Sequence, residues 1–186
     1  GLFKKLKLNI FYKLMYKSIL ALVKTYICYN SFVKESFIKH GFSANKLSVA
    51  ENSLTNEFRV LPEEKKGNKN GILFVGRLRE SCNIMLLVSV MTKIRELDKI
   101  DLSLHIIGSG DSMDSKLLRE FAGKNAWVHL HGELYEQKEI QKISRGCFIG
   151  CYPGNAGLSV VHMMSLSLPP VAHDRIDLHE GPEPSY

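Results

Sequence analysis

The stretch ILFVGRLR, residues 72–79, decides how the rest of the chain is read. Four apolar residues run without a polar break and stop at Gly76, the pattern of a strand buried on both faces. Beyond it, Ile84, Leu87, Val88, Met91 and Ile94 recur at helical spacing. Leu102–Ile107 repeats the strand pattern and ends in Gly-Ser-Gly-Asp, and Met113, Leu117, Leu118 and Phe121 fall on one face of a following helix. Trp127–His131 predicts a third strand, 136–144 a short helix, Cys147–Tyr152 a fourth strand, 157–167 a helix, and Val171-Ala172 the start of a fifth strand. Strands alternating with helices predict an α/β fold, a Rossmann-like parallel sheet with helices on both faces.

Upstream the pattern is less regular. Residues 62–71 (PEEKKGNKNG) read as a linker. Leu47–Ala50 and Tyr26–Tyr29 read as short strands, with a helix over 32–40 capped by Ser31 and ended by Gly41 between them. Residues 2–24 place Leu2, Phe3, Leu6, Ile10, Leu14, Ile19 and Leu22 among lysines, as an amphipathic helix does. Such a helix can lie on anionic lipid or pack its apolar side against protein, and both readings stay open.

The chain has 186 residues and a formal charge of +6, with 45% hydrophobic and 24% charged residues. Those proportions exclude collagen-like, disordered and disulfide-scaffold classes. Residues 1–34 hold seven lysines and no acid; the other 152 residues carry 18 bases against 19 acids. The excess base therefore belongs to one end, and a nucleic-acid partner, which needs basic charge across a docking face, is not expected. Four cysteines without a CxxC pair fit reduced thiols. No apolar run is long enough to span a membrane. A cytoplasmic location is expected, with peripheral contact at the inner face of the plasma membrane if residues 2–24 meet lipid.

In a doubly wound sheet, ligands bind beyond the carboxyl ends of the strands. Here those ends are rich in glycine: Gly76-Arg77, Gly108-Ser109-Gly110, Gly132, and Tyr152-Pro153-Gly154-Asn155-Ala156-Gly157. Glycines admit backbone N–H groups close to an anion, a helix from Gly157 aims its positive end there, and Arg77 adds a fork of donors. A phosphate ligand is the reading. Gly-x-Gly-x-x-Gly is missing after the first strand, which disfavours NAD or FAD. No His/Cys/Asp/Glu grouping has metal-ligand spacing, so no metal is expected. His105, His129 and His131 read as structural, and Cys147 and Cys151 as small core residues.

Taken in order, Gly76-Arg77-Leu78, IIGSGD (106–111), VHLHGEL (128–134) and YPGNAGLSVVHMMSLSLPPVAHD (152–174) resemble the C-terminal, donor-binding half of retaining GT-B glycosyltransferases of the group-one or family-four set. PGNAGLSVVH and HEGPEPSY look closest to bacterial members that build surface polysaccharides. The resemblance implies that residues 1–30 are a basic helix and last strand left over from an acceptor-side domain, and that 31–186 form an incomplete nucleotide-sugar-binding domain. It implies a UDP-, GDP- or ADP-sugar donor, a glycan or lipid-linked acceptor, and, for this piece alone, weak nucleotide binding with little transfer.

By position, Arg77 matches the family arginine on the donor diphosphate, and it is the candidate for leaving-group stabilisation. Gly76, Gly108 and Gly110 flank that position. Gly154, Asn155, Ala156, Gly157 and Leu158 match the loop that holds diphosphate and sugar, and Gly132–Tyr135, with Leu134, matches the segment against the nucleobase. Two departures stand out. Cys82 occupies the place of a lysine, so a lysine restored there is expected to tighten diphosphate binding. Gly154 and His162 replace two glutamates, leaving His162 as the candidate ribose contact. Ser167 and Pro170 depart from Gly and Val in a structural turn. These departures keep two alternatives in view: a nucleotide-sugar epimerase of the same architecture, and a catalytically silent nucleotide- or glycan-binding domain.

Overall fold

The computed structural model describes residues 11, 14–19, 21–51 and 69–174. Its contacts form two units, residues 1–52 and 53–186. The division expected at 30/31 falls inside the first unit, between a strand and the helix it feeds.

In the first unit, residues 11, 14–19 and 21–22 are helical and residues 23–24 are not, so the helix expected over 2–24 ends two residues early; its remaining residues and the linker before residue 69 lie outside the described residues. Strand β1 (Tyr26–Cys28) leads to helix α1 (Ser31–Lys39) and strand β2 (Leu47–Val49), which pairs parallel with β1. The cap of α1 is Asn30 rather than Ser31: its side-chain oxygen accepts from the Val33 N–H at 2.7 Å, and Ser31 is already helical. Cys28 and Leu47 form a small core with Val23, Tyr26, Val33, Phe37 and Phe42. The Phe37 ring meets Tyr16, Tyr26 and Phe42 edge-on, at 5.7, 5.2 and 5.1 Å.

The second unit carries the regular pattern: β3 (Gly71–Val75), α2 (Ile84–Lys93), β4 (Ser103–Ile107), α3 (Met113–Ala122), β5 (Val128–Gly132), α4 (Gln137–Ser144), β6 (Cys147–Tyr152), α5 (Leu158–Ser165) and β7 (Pro170–Ala172). The strands line up in the order β5-β4-β3-β6-β7, every neighbour parallel. The chain thus winds outward from β3 to β5, then returns to build β6 and β7 on the other side. That reversal puts the topological switch point between β3 and β6, where such sheets open a crevice.

All five residues of β3 are buried, as a central strand covered on both faces must be. Phe74 stacks on Tyr152 of β6 with centroids 4.7 Å apart. Helix α2 buries Ile84, Leu87, Val88 and Met91, the expected face. Helix α3 does not follow expectation: Met113 and Leu117 are exposed, while Ser115 and Leu118 are buried. The Ser115 hydroxyl donates to the Leu78 carbonyl at 3.3 Å, so a polar residue sits inside without an unpaired group.

The three strand histidines share one patch. His105 on β4 stacks on His129 and His131 of β5 at 4.6 and 5.4 Å, and His105 Nδ1 lies 3.1 Å from His131 Nε2. Burial, then the neighbouring imidazoles, lowers the His105 pKa to about 4, and the same causes lower that of His131. The folded state therefore binds fewer protons than the unfolded chain once the pH falls below the ordinary histidine value. Stability present above about pH 6.5 is lost progressively toward about pH 4. The thermal midpoint should fall between about pH 7.5 and pH 5, and His105→Gln should shrink the fall. An equal fall in the variant, followed by circular dichroism, would contradict this assignment.

Candidate functional site

The strand-end loops are laced together through their backbones. The Gly76 N–H donates to the Ile107 carbonyl at 3.0 Å, Leu78 N–H to Ser109 at 2.8 Å, Gly108 N–H to Gly132 at 2.7 Å, and Asn155 N–H to Ser81 at 3.1 Å. Such closeness excludes side chains. A Cβ on Gly108 would lie 1.9 Å from the Gly76 oxygen, on Gly110 2.1 Å from the Leu78 oxygen, and on Gly154 1.9 Å from the Ser81 oxygen. At these three positions glycine is required by loop against loop. Beneath the rim, the buried ring of Tyr152 stands 2.7 Å from where a Gly76 Cβ would be, closing the floor between β3 and β6.

Gly157 differs. Its φ of +52° and ψ of −128° suit glycine alone, and nothing lies within 4 Å of its missing Cβ. It opens α5 without a side-chain cap. The positive end of that helix therefore faces the rim.

A cleft of about 490 Å³ lies between residues 77–81 of the β3 loop and 109–112 of the β4 loop. Arg77, Arg79, Glu80 and Asp111 contribute two charges of each sign to its walls. Of the candidate contacts, Arg77 and Gly110 line it. Gly76 and Gly108 form the rim, Gly132 ends β5, and Leu134 is half-buried against the core. Asn155 is tied to Ser81, Ala156 is buried, and Leu158 is exposed in the first turn of α5. His162 lies one turn further along and is half-buried, its pKa lowered by that burial. These latter groups stand on the β5 and β6 side and do not line the cleft.

Cys82 reverses an expectation. The thiol is buried without exposure in the main core, and burial raises its pKa. A lysine at this position would carry an ammonium into the core. Burial likewise pushes the Cys147 and Cys151 thiols up to about 12 and about 11. Among the described residues, no group of three or more His, Cys, Asp or Glu side chains is placed to share a metal ion.

One acid lies inside the 132–135 segment expected against the nucleobase, but its carboxylate was given no role there. Glu133, just after β5, accepts hydrogen bonds from Ser109 Oγ and, at 2.6 Å, from the Tyr135 hydroxyl. Ser109, then Tyr135, then the Arg77 charge hold its carboxyl below the usual range, while Glu133 pushes the Tyr135 hydroxyl up. Only the β4–β5 pairing brings Ser109 beside Glu133, 24 residues away in sequence. Spacing along the chain carries no sign of it.

Residues 69–183 match the family described as glycosyl transferases group 1. The chain belongs to the group 1 glycosyltransferases. Among solved structures, it is similar to a glycosyltransferase from Rickettsia africae (TM-score 0.66, 16% identity, covering 92% of this chain and 49% of that one). A point mutant of S. aureus TarM, in complex with fondaparinux, alpha-GlcNAc-glycerol and UDP, gives a TM-score of 0.65 at 19% identity, covering 90% and 33%. The lipopolysaccharide outer core galactosyltransferase WaaB gives 0.64 at 19%, covering 87% and 45%. The shared architecture is the C-terminal half of a GT-B fold, and this group 1 glycosyltransferase chain spans between a third and a half of those structures' lengths. Comparison with curated proteins returned no match. Among the described residues, no helix is long and apolar enough to cross a membrane.

Two substitutions test the rim. Gly154→Ala should destabilise the protein by about 2–3 kcal/mol, or roughly 5–10 °C in Tm, because backbone rather than a flexible side chain blocks the new methyl. Cys82→Lys should also lower Tm and should not tighten phosphate binding. Wild-type thermal melts for both would contradict this packing.

Proposed function

We propose that this group 1 glycosyltransferase chain binds the nucleotide-diphosphate sugar donor of a retaining hexosyl transfer, with a glycan or lipid-linked acceptor. The observation that carries this reading is the exposed Arg77 in the cleft wall, on a rim whose far side holds the start of α5 at Gly157. Breaking the anomeric bond leaves a diphosphate with additional negative charge. A guanidinium and helix N–H groups fixed around it lower the barrier, and one such donor is worth about 10²–10³ in rate. UDP in the TarM structure supports a uridine nucleotide as the first probe, beside GDP and ADP. His162, whose pKa burial lowers, is the candidate contact for a ribose hydroxyl. Action at the inner face of a bacterial membrane, in polysaccharide assembly, belongs to the same proposal; exposed Phe11, Leu14 and Leu22 are consistent with a lipid surface.

The reading of a silent binding domain drew on Cys82 and Gly154 standing in for charged residues. Both are accounted for by packing, one inside the core and the other against the Ser81 carbonyl.

Calorimetric titration with UDP, GDP and ADP tests the proposal. One of the three should bind at up to millimolar concentration. Arg77→Ala should weaken it about tenfold or more, the worth of a charge-assisted hydrogen bond, without lowering Tm. No heat with any of the three, or wild-type affinity in Arg77→Ala, would contradict the reading.

A further inference from the structure

A site proposed to receive a diphosphate contains a carboxylate that this reading does not use. Glu133 is exposed at the end of β5, and its two oxygens accept from Ser109 Oγ and the Tyr135 hydroxyl. Ser109 lines the cleft with Arg77, and the Arg77 charge is felt at both Glu133 and Tyr135. The Ser109 hydroxyl that a phosphate would seek is therefore already engaged with an anion of the protein, and that anion lies within the field of the guanidinium. Their backbones are fixed: Leu78 N–H is bonded to Ser109, and Gly108 N–H to Gly132. The Ser109 side chain can turn from one acceptor to another while the loop stays in place.

We propose that Glu133 is an internal anion that competes with the incoming phosphate for Ser109 and for the field of Arg77, so that it limits affinity for the donor. The inference rests on the reading of the cleft as a phosphate site. It fixes the sign of an effect that other roles for Glu133 would reverse. A carboxylate holding ribose hydroxyls or base N–H groups raises affinity, whereas a competitor lowers it.

Titration of the whole chain with inorganic pyrophosphate, UDP and uridine separates these cases. Glu133→Gln removes the charge while keeping an oxygen acceptor for the Ser109 and Tyr135 hydroxyls. It should bind pyrophosphate and UDP about threefold or more tightly at low salt, the gap narrowing as salt screens the repulsion. Uridine, which has no phosphate, should be unaffected. Ser109→Ala should weaken pyrophosphate binding in the wild-type background and reduce the gain from Glu133→Gln. Glu133→Ala serves as a second variant if the amide disturbs the rim. Equal or weaker binding of pyrophosphate in both Glu133 variants, with wild-type binding intact, would overturn the inference alone. A folded wild-type chain that binds neither pyrophosphate nor UDP would overturn the phosphate reading and the inference with it.

Discussion

The rim depends on backbone touching backbone where side chains would ordinarily intervene. Three glycines let the loops after β3, β4 and β6 approach within hydrogen-bonding distance, so Gly76, Leu78 and Asn155 donate to neighbouring loops instead of to water. The Leu78 carbonyl is the busiest point: Gly110 packs against it, and the hydroxyls of Ser112 and Ser115 donate to it. A rim tied in this way fixes the backbone that carries Arg77 and the loop that leads into α5. Preorganisation of that kind is what electrostatic stabilisation of a leaving group needs.

Charge at this rim is balanced rather than uniformly positive. Two arginines and two acids line the cleft, and Glu133 is tied to its Ser109 wall. On the proposed reading, recognition of a polyanion rests on directed donors, the guanidinium and helix N–H groups, more than on net charge. Directed donors also discriminate by shape, which suits a ligand whose phosphates must be placed relative to a sugar.

Most of the sheet was legible because buried parallel strands and amphipathic helices leave periodic traces. β6 matches its expected bounds, and α2 buries its expected face. Traces failed where one hydrogen bond outweighs hydrophobicity. Ser115 takes an inner position because Leu78 offers a carbonyl, and Asn30 caps α1 because its side chain reaches Val33. Ser167, read as a departure in a turn, adopts φ +59°, a left-handed conformation in which glycine is less strained. At the site, glycine enrichment was visible but its cause was not. Composition cannot separate a glycine required by its own backbone conformation, as Gly157 is, from one that admits a neighbouring loop, as Gly108 and Gly154 do. Glu133 was hidden for a related reason: its partner comes from an adjacent strand.

The central claim is that a nucleotide diphosphate seats its phosphates between the β3 and β4 loops and the start of α5. Amide chemical-shift mapping by NMR during titration with UDP tests it most directly. The account predicts the largest perturbations at Arg77, Leu78, Ser109, Gly110, Gly157 and Leu158, with the β2 strand unmoved. Perturbations confined to other surfaces, with the rim amides silent at saturation, would contradict it.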